Sequence, residues 1–410
     1  MQTRFHSRLG DIDAAAWNAL LPDDNPFLRH EFLSGLEETG CLRAEYGWRA
    51  HHLCLYENGE LIAAAPLYLK GNSHGEFVFD WSWASAYERA GLNYYPKLLG
   101  AVPYSPVAGA RLLVRPGADA PTLRAMLIEA IATEVQRHGL SSAHINFVSV
   151  DDAQALENAE WLERFDWQFH WLRQHQWKNF DDFLAALNHK KRKNIRAERS
   201  QVARAGIVCD LRHGDELDAH EWRRIHELYL NTFEERGNHP ALTEEFFHHL
   251  GTTMPRQVVA VLCRHSLKSP AATPVYSSEV REDRKDKDIV AMALMLRSSD
   301  TLYGRYWGST VNVPGLHFEA CYYQGIEYCL REGLTTFEPG AQGEHKIARG
   351  FLPTMTRSYH YIRDTRFRAA VRDALAREAA GLQEYRAELM AHSPYAHVEH
   401  KPLSPPSPPF

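Results

Sequence analysis

The chain has none of the long apolar runs that mark membrane proteins and secreted precursors. No stretch of its 410 residues reaches the roughly 18 consecutive apolar residues that a membrane-spanning helix needs. The first residues, MQTRFHSRLGDID, contain no apolar segment of the kind found in signal peptides. These absences predict a cytoplasmic protein without a membrane span.

Cysteine is also scarce, and its spacing forms no recognised motif. The cysteines are Cys41, Cys54, Cys209, Cys263, Cys321 and Cys329, and no two of them form a C-x-x-C pair. His189 and the adjacent His248 and His249 have no other metal-ligating residues at useful spacing. We therefore expect reduced thiols, no disulfide framework, no metal site and no tightly bound cofactor.

The charge balance is slightly acidic. The formal net charge is -6, which argues against general affinity for nucleic acids but allows a local basic patch. The hydrophobic content of 44% and the charged content of 24% are typical of soluble globular proteins. A chain of 410 residues exceeds what one ordinary core supports, so two domains are expected.

Two segments share one order of elements, which indicates an internal duplication. In the first, residues 51–69 alternate around an Asn-Gly pair as a hairpin does, and residues 121–149 have the pattern of a helix, a glycine cap and a strand. In the second, residues 256–266 and 289–309 have the pattern of strands. Residues 314–340 again have that of a helix, a glycine cap and a strand.

The duplication sets the expected division of the chain. We predict an α/β protein of two tandem domains, 1–175 and 176–366, each with a mixed β-sheet flanked by helices. A long helix should follow over 367–392, because apolar residues recur there every seven positions. That stripe needs a cover, either the other domain or the second subunit of a homodimer. The proline-rich tail, 393–410, should be disordered.

Residues 337–351, FEPGAQGEHKIARGF, carry the strongest functional signal. A strand-like lead-in stops at a Pro-Gly pair, and an amide, an acid, an imidazole and an amine follow within five positions. Polar side chains at the end of a strand are held by a rigid scaffold, where catalytic and binding residues tend to lie. The corresponding segment of the first unit, residues 145–154, has no glycine and no lysine. We therefore expect the chemistry in the second unit.

Several longer motifs are similar to those of one known family. They are FDWSWASAYERAGLNYYPKLL (79–99), VPYSPVAGARLL (102–113), HKKRKNIRAERSQVARAG (189–206), LYGRYWG (302–308), LHFEACYYQGIEY (316–328) and EPGAQGEHKIARGF (338–351). In this order they resemble the FemAB-like family. The resemblance extends over residues 5–390 and rests on long motifs rather than on single glycines.

The resemblance implies two tandem GNAT-like domains, which have the acyl-CoA N-acyltransferase fold. Fem-type relatives transfer an aminoacyl group from charged tRNA to an amine of a peptidoglycan precursor. The chain departs from them because its second domain has no long inserted coiled-coil arm. It departs from CoA-dependent acetyltransferases because it has no evident Q/R-x-x-G-x-G/A loop. The acyl donor stays open between aminoacyl-tRNA and acyl-CoA.

Four residues are candidates for catalysis. Lys346 lies where Fem-type enzymes have a comparable lysine, and a fixed cation there stabilises the oxyanion of acyl transfer. Glu344, His345 or Glu319 could take the proton from the attacking amine. Each has a structural alternative: a solvated lysine, a local ion pair in the loop, or a salt bridge between Glu319 and Arg305.

A second group of residues is expected to line the substrate cleft. Arginine could clamp a carboxylate or phosphate, and aromatic side chains beside an acid suit a cationic or ring-bearing substrate. Glu338, at the end of a strand, could bind the substrate amine or act as a base. The alternative for each is packing or ion pairing inside the protein. The candidates are Asp80, Trp81, Tyr95, Lys97, Arg305, Trp307, Tyr323, Glu338 and Gln342.

A basic helix opens the second unit. Arg192, Arg196 and Arg199 form one stripe at i, i+4 and i+7. The stripe could contact the phosphates of tRNA or of a nucleotide. The alternative is a solvated helix face, which is the usual meaning of such a run.

These observations predict an acyltransferase of the N-acyl or aminoacyl type. A bound primary amine of a small molecule or cell-wall precursor would attack the acyl donor directly, because no cysteine stands in a Cys-His arrangement. One alternative is an acyl-CoA-dependent N-acyltransferase that acts on a small amine. The other is a non-catalytic module that recognises peptidoglycan precursors or RNA.

Overall fold

A computed structural model describes residues 1–235, 239–266, 289–341 and 343–396. Gln342 and the part of the predicted tail after residue 396 lie outside the described residues. No helix in these ranges combines the length and the apolarity needed to cross a membrane.

Strands and helices are mixed along the chain, and the predicted α/β class is confirmed. The strands are β1 (Gln2–His6), β2 (Trp48–Ala50), β3 (His52–Glu57), β4 (Glu60–Ala65), β5 (Leu67–Lys70), β6 (Lys97–Gly100), β7 (Leu113–Val114), β8 (Ser142–Ile145), β9 (Leu162–Leu172), β10 (Ile207–His213), β11 (Val258–His265), β12 (Ile289–Arg297), β13 (Thr301–Ser309), β14 (Thr336–Glu338) and β15 (Leu352–Ile362). The helices are α1 (Ala14–Asn18), α2 (His30–Glu38), α3 (Trp81–Arg89), α4 (Ala120–Arg137), α5 (Val150–Asn158), α6 (Phe180–Ala186), α7 (His189–Arg204), α8 (Ala219–Glu235), α9 (Glu244–Thr253), α10 (Leu316–Phe318), α11 (Gln324–Glu332) and α12 (Thr365–Ala391). A π-helical turn, Glu319–Tyr323, joins α10 to α11.

Both units contain the hairpin, helix and strand that the duplication predicts. In the first unit, β3 and β4 meet at Asn58 and Gly59, whose φ angles of 52° and 90° suit a tight hairpin turn. α4 then leads into β8, and in the second unit α10 and α11 lead into β14. In each unit the strand after the helix pairs in parallel with an earlier strand, β8 with β6 and β14 with β13.

Most of the described strands belong to one large sheet. Its order is β10-β11-β12-β13-β14-β9-β15-β8-β6-β5-β2, and a smaller sheet has the order β1-β3-β4-β7. β9 of the first unit pairs with β14 through Trp171 and Phe337. β15 of the second unit pairs with β8 through Tyr359 and Ile145. Each unit therefore gives one strand to the other's half of the sheet, and hydrogen bonds run continuously through both.

The two units also share a hydrophobic core. The strand β12, IVAMALMLR, is buried over its whole length except at Arg297, which is typical of a strand covered on both faces. Phe246 and Leu294 of the second unit lie in one apolar cluster with Phe27 and Leu33 of the first. The relative position of the units is therefore set by packing as well as by strand pairing.

The long C-terminal helix packs on its own chain. α12 begins after the N-cap Asp364 and runs to Ala391, as the sequence predicts within two residues. Val371 and Leu375 are buried against α3, and Leu389 joins the core of the second unit. The chain itself thus covers the apolar stripe that suggested a homodimer, and dimerisation stays a prediction.

The expectation that all cysteines are reduced is wrong for two of them. Cys209 and Cys263 form a disulfide between β10 and β11. They are 54 residues apart in sequence but face each other in the antiparallel register, a relation that their spacing does not reveal. The other four cysteines are free thiols. Within the described ranges, no cluster of His, Cys, Asp and Glu side chains is arranged to hold a metal ion.

Candidate active site

The parallel strands β13 and β14 of the second unit separate after a short paired segment. β13 pairs with β14 only as far as Tyr303 and Glu338, after which β14 ends and β13 continues to Ser309. We call this point the fork. The backbones are close there, since a Cβ on Gly304 would lie 3.3 Å from the Cα of Pro339. Side chains at the fork are therefore held by the rigid edges of two strands.

Arg305 and Glu338 face each other at the fork. Nη2 of Arg305 lies 3.9 Å from Oε2 of Glu338, and both side chains are buried. The guanidinium also lies over the ring of Phe27, 4.7 Å from its centre. Nε and Nη2 of Arg305 and Oε2 of Glu338 make no hydrogen bond to any described residue. Because buried polar atoms nearly always have a partner, these atoms are suited to a polar group of a ligand.

Lys346 lies in the loop that follows β14. A 3-10 helix, Glu344–Arg349, turns the lysine inward, so that only 3% of its surface is exposed. Its Nζ donates to the carbonyl oxygen of Gly340 at 2.8 Å. Within the described part of the chain, no carboxylate forms a salt bridge with it. The amine is therefore buried with a carbonyl as its hydrogen-bond partner and without a neutralising acid.

Burial and nearby charges bring two pKa values at the fork close to neutral pH. Burial, together with the charge of Arg305, lowers the pKa of Lys346 to about 7. Burial raises the pKa of Glu338 to about 7, although Arg305 and Arg111 act in the opposite direction. Burial, with the charges of Arg305 and Lys346, lowers the pKa of His170 to about 3 and keeps that ring neutral. An acid and an amine that titrate near pH 7 suit proton transfer and charge stabilisation.

The predicted acid Glu319 is bonded to the basic helix. Arg199 donates to both of its carboxylate oxygens at 3.0 Å and also forms a salt bridge with Glu327 at 2.7 Å. The sequence suggested Arg305 as the structural partner of Glu319, but the partner is Arg199, because α7 packs against the π-helical turn. Glu319 and Arg199 thus neutralise each other inside the protein.

Glu344 and His345 lie on the outer side of the same loop. The carboxylate of Glu344 accepts a hydrogen bond from Tyr385 of α12 at 2.5 Å. Nε2 of His345 lies 2.9 Å from the hydroxyl of Tyr322. Burial and the charge of Arg349 lower the pKa of His345, so its ring is neutral at pH 7. Glu344 and His345 therefore have hydrogen-bond partners that lie outside the fork.

Tyr323 and Trp307 lie among rings and charges near the π-helical turn. The hydroxyl of Tyr323 donates to Glu198, which also pairs with Arg349 at 2.6 Å. Trp307 is partly buried, and its ring centre lies 5.3 Å from that of His317. These contacts give both residues a packing role and leave the binding role as a prediction.

The candidates of the first unit form a buried charged network. Lys97 makes salt bridges with Glu76 at 2.8 Å and with Asp80. Burial would raise the pKa of Asp80, but the charge of Lys97 lowers it to about 2. Burial raises the pKa of Glu76 to about 7 despite Lys97. The network lies within the first unit and joins β6 to the loop before α3.

Tyr95 and Trp81 lie at the edge of that network. The hydroxyl of Tyr95 is 2.7 Å from the hydroxyl of Ser73, whose side chain in turn donates to Asp80. Trp81 is 54% exposed, and its ring centre lies 5.1 Å from that of Phe79. The structure thus separates the first-unit candidates into a buried acid-base group and an exposed aromatic patch.

The basic stripe on α7 also divides into two parts. Arg199 is bound to acids, whereas Arg192 and Arg196 stay on the surface and line a groove with His189. Arg196 lies 3.6 Å from Asp181 across that groove. Two of the three predicted phosphate contacts are therefore accessible.

A cavity opens between the units beside the loop that carries Lys346. It is lined by the segment Phe77–Phe79, by β9 and β15, and by Ala341. Gln168 of β9 lines it, and the Oε1 of this residue lies 3.3 Å from Nε2 of His170. The sequence interpretation missed this side of the site, although β9 has a polar residue at every second position of RFDWQFHW.

Comparison with known proteins establishes the family. The model of the FemAB-like family, described as peptidoglycan biosynthesis/recognition, matches residues 8–397. The chain therefore belongs to the FemAB-like family, and the predicted resemblance is confirmed. No curated protein matches the chain.

Solved structures share the fold at low sequence identity. FemX has 12% identity and a TM-score of 0.50, covering 91% of this chain and 100% of FemX. The C-terminal domain of a protein described as a lysylphosphatidylglycerol synthetase from Agrobacterium fabrum has 12% identity and a TM-score of 0.51, covering 89% and 96%. A tandem GNAT protein from the clavulanic acid biosynthesis pathway has 11% identity and a TM-score of 0.42, covering 88% and 98%. The chain is therefore a member of the FemAB-like family whose α/β fold is shared with FemX.

Proposed function

We propose that the protein transfers an acyl group to a primary amine at the fork. The observation that carries this proposal is the buried group of Arg305, Glu338 and Lys346, in which an acid and an amine both have pKa values near 7. The acceptor amine attacks the carbonyl carbon of the donor and forms the new C–N bond. Glu338 accepts the proton that the amine loses. The C–O or C–S bond between the acyl group and the rest of the donor then breaks as the carbonyl re-forms, and the proton returns to the departing oxygen or sulfur.

Lys346 and Arg305 supply the positive charge that the tetrahedral intermediate requires. The carbonyl oxygen of the donor becomes an oxyanion when the amine adds. The protonated Nζ of Lys346 and the Nε and Nη2 of Arg305 are donors in a site from which water is largely excluded. One such donor typically contributes about 3 kcal/mol to the stability of the transition state.

We assign the role of base to Glu338 rather than to the other candidates. Glu344 is bonded to the C-terminal helix, and Glu319 is neutralised by Arg199. His345 is neutral at pH 7 and remains the second candidate, since its hydrogen bond to Tyr322 does not neutralise a charge. Glu338 is the buried acid beside Arg305 whose pKa lies at the working pH of a general base.

The donor is an aminoacyl-tRNA or an acyl-CoA, and both carry phosphates. Arg192 and Arg196 offer a surface for those phosphates in the groove on α7. The description of the family directs the choice of acceptor towards a peptidoglycan precursor with a free amine. If tRNA is the donor, reversing the charge of Arg192 and Arg196 weakens tRNA binding at low salt, while acyl-CoA binding would be tested in parallel.

The proposal is tested by measuring acyl transfer with both donors. A peptidoglycan precursor with a free amine is incubated with acetyl-CoA or with a mixture of aminoacyl-tRNAs, and the gain in acceptor mass is followed by mass spectrometry. Lys346→Met and Glu338→Gln should each lower turnover by about 100-fold or more. Lys178→Met, which changes an exposed lysine outside the fork, is the matched control and should retain turnover.

Two results would contradict the proposal. Wild-type turnover in Lys346→Met would refute the oxyanion role. Tight binding of the precursor, with no transfer from either donor, would favour the alternative of a non-catalytic recognition module. Circular dichroism of each variant separates loss of chemistry from loss of folding.

A further inference from the structure

His170 of β9 lies opposite Glu338 at the fork. β9 and β14 are antiparallel, and Phe337 pairs with Trp171, so the next pair in the same register is Glu338 and His170. Phe337 and Trp171 belong to the hydrophobic core of the second unit. Because side chains alternate along a strand, Glu338 and His170 share the other face of the sheet. Side chains directly opposite each other have Cβ atoms about 5 Å apart, so His170 is a neighbour of the proposed base.

Two hydrogen bonds in series fix the position of the hydrogen on the His170 ring. The side-chain Nε2 of Gln168 donates to the carbonyl oxygen of Pro106 at 2.9 Å. Because a carbonyl oxygen can only accept, the other end of this amide, Oε1, is the atom 3.3 Å from Nε2 of His170. Oε1 is also only an acceptor, so Nε2 of His170 carries the hydrogen. In a neutral imidazole the second nitrogen, Nδ1, then has a free lone pair.

The ring is buried and neutral, so this lone pair is present at pH 7. His170 and Gln168 are each 5% exposed. Burial, with the charges of Arg305 and Lys346, lowers the pKa of His170 to about 3. Among the described residues, none donates a hydrogen bond to Nδ1. A hydrogen-bond acceptor is therefore left for a ligand beside Glu338.

We propose that Nδ1 of His170 accepts a hydrogen bond from the attacking amine and thereby selects primary amines. This inference rests on the proposed function and adds an amine-binding residue to the same site. A neutral primary amine has two N–H groups. Glu338 takes one proton as the C–N bond forms, and the other N–H needs an acceptor in a site with little water. Nδ1 supplies that acceptor and keeps the lone pair of the amine directed at the carbonyl carbon of the donor.

A secondary amine does not meet these requirements. It loses its single N–H to Glu338, and Nδ1 of His170 is then left without a partner. A site that is built to bind an N–H group discriminates strongly against an analogue that lacks it. The loop of the first unit that contains Pro106 thus contributes to the specificity of the second unit, because it fixes Gln168 and through it the tautomer of His170.

Acyl transfer to a primary amine and to its N-methyl derivative tests the proposal. The probes are a peptidoglycan precursor with a free amine and the same precursor methylated once at that nitrogen. The wild type should prefer the primary amine in kcat/KM by about 10-fold or more. His170→Leu, which has no lone pair, should lower kcat/KM for the primary amine by about 10-fold and reduce the preference to within about two-fold. His170→Asn, whose amide oxygen can lie near the position of Nδ1, should keep the preference.

Nitrogen NMR of the protein labelled with ¹⁵N-histidine tests the tautomer without an acyl donor. The signals of His170, identified by their absence from the spectrum of His170→Asn, should show the hydrogen on Nε2 at pH 7. Gln168→Leu removes the acceptor of that hydrogen and should give a mixture of both tautomers. A hydrogen on Nδ1 in the wild type would overturn the inference, whatever the transfer assay shows.

The remaining outcomes separate this inference from the proposed function. His265→Leu changes an exposed histidine at the end of β11 and should leave both kcat/KM values unaltered. Transfer that continues in His170→Leu with an unchanged preference would overturn the inference and leave the proposed function intact. A changed pH dependence of turnover in His170→Leu, with the preference retained, would assign Nδ1 to Lys346 and would also overturn it. Absence of transfer to either amine by the wild type would refute the proposed function and, with it, the role of His170. Circular dichroism shows whether each variant is folded.

Discussion

The buried group at the fork predicts a bell-shaped dependence of turnover on pH. Glu338 must be ionised to accept a proton, so activity rises as the pH rises through its pKa of about 7. Lys346 must be protonated to stabilise the oxyanion, so activity is lost as the pH rises through its pKa of about 7. The optimum therefore lies close to pH 7, and both limbs come from residues of the same buried group.

The width of the profile follows from the two pKa values. If each group is half in its active form at pH 7, roughly a quarter of the molecules carry both active forms. One pH unit to either side, that fraction falls to about one third of its maximum. Burial is the main cause of both pKa values. Lowering the pKa of Lys346 from 10.5 to about 7 means that the protein disfavours its charged form by about 5 kcal/mol, at 1.36 kcal/mol per pKa unit.

Three variants test which residue causes each limb of the pH profile. Lys346→Arg keeps its charge above pH 7 and should abolish the alkaline limb. Glu338→Gln should abolish the acidic limb and lower turnover by roughly 100-fold to 10,000-fold. The charge of Arg305 lowers the pKa of both Lys346 and Glu338, so Arg305→Gln should move the whole profile to higher pH.

The assay is single-turnover acyl transfer measured from pH 5 to pH 9 at constant ionic strength. Single-turnover conditions keep product release from masking the chemical step. A profile that is flat from pH 6 to pH 8, or an alkaline limb that persists in Lys346→Arg, would refute these assignments. His345→Asn is the variant to compare, because loss of the acidic limb there would make His345 the base.

Two further predictions concern stability and cysteine chemistry. Lys97→Met leaves the buried carboxylates of Asp80 and Glu76 without a cation and should lower the free energy of unfolding by about 3–5 kcal/mol. The loss of stability should be smaller at pH 5, where Glu76 is protonated. A urea unfolding midpoint that is unchanged at pH 8 would contradict this prediction. The Cys209–Cys263 disulfide predicts four reactive thiols in the denatured, unreduced protein and six after reduction, and a count of six before reduction would show that the disulfide is absent.

Much of the architecture is local and could be predicted from the sequence. The hairpin at Asn58 and Gly59, the capped helices and the long C-terminal helix all follow from periodicity and turn residues, which depend on near neighbours. The importance of the loop with Lys346 was also visible, because glycines and charged residues at the end of a strand are unusual. Element order predicted the duplicated α/β plan, and the motifs predicted the FemAB-like family, which the family comparison confirms.

The sequence did not show which side chains pair with each other. Arg199 lies 120 residues before Glu319, and no periodicity relates them; they meet because α7 crosses the π-helical turn. Cys209 meets Cys263 for a similar reason, through the register of β10 and β11. The polar alternation in β9 was present in the sequence, but its meaning depended on which strands lie beside it.

The sequence by itself determined the duplicated α/β plan, the family and the loop that carries Lys346. Only the tertiary structure decided that Glu338 is the acid paired with Arg305 beside that loop and that Arg199 neutralises Glu319. The physical reason is that local propensity and periodicity act over a few residues along the chain. Ion pairs, burial and pKa values depend instead on distances across the sheet. Those distances are set by the pairing of β9 with β14 and of β15 with β8, which joins the two units.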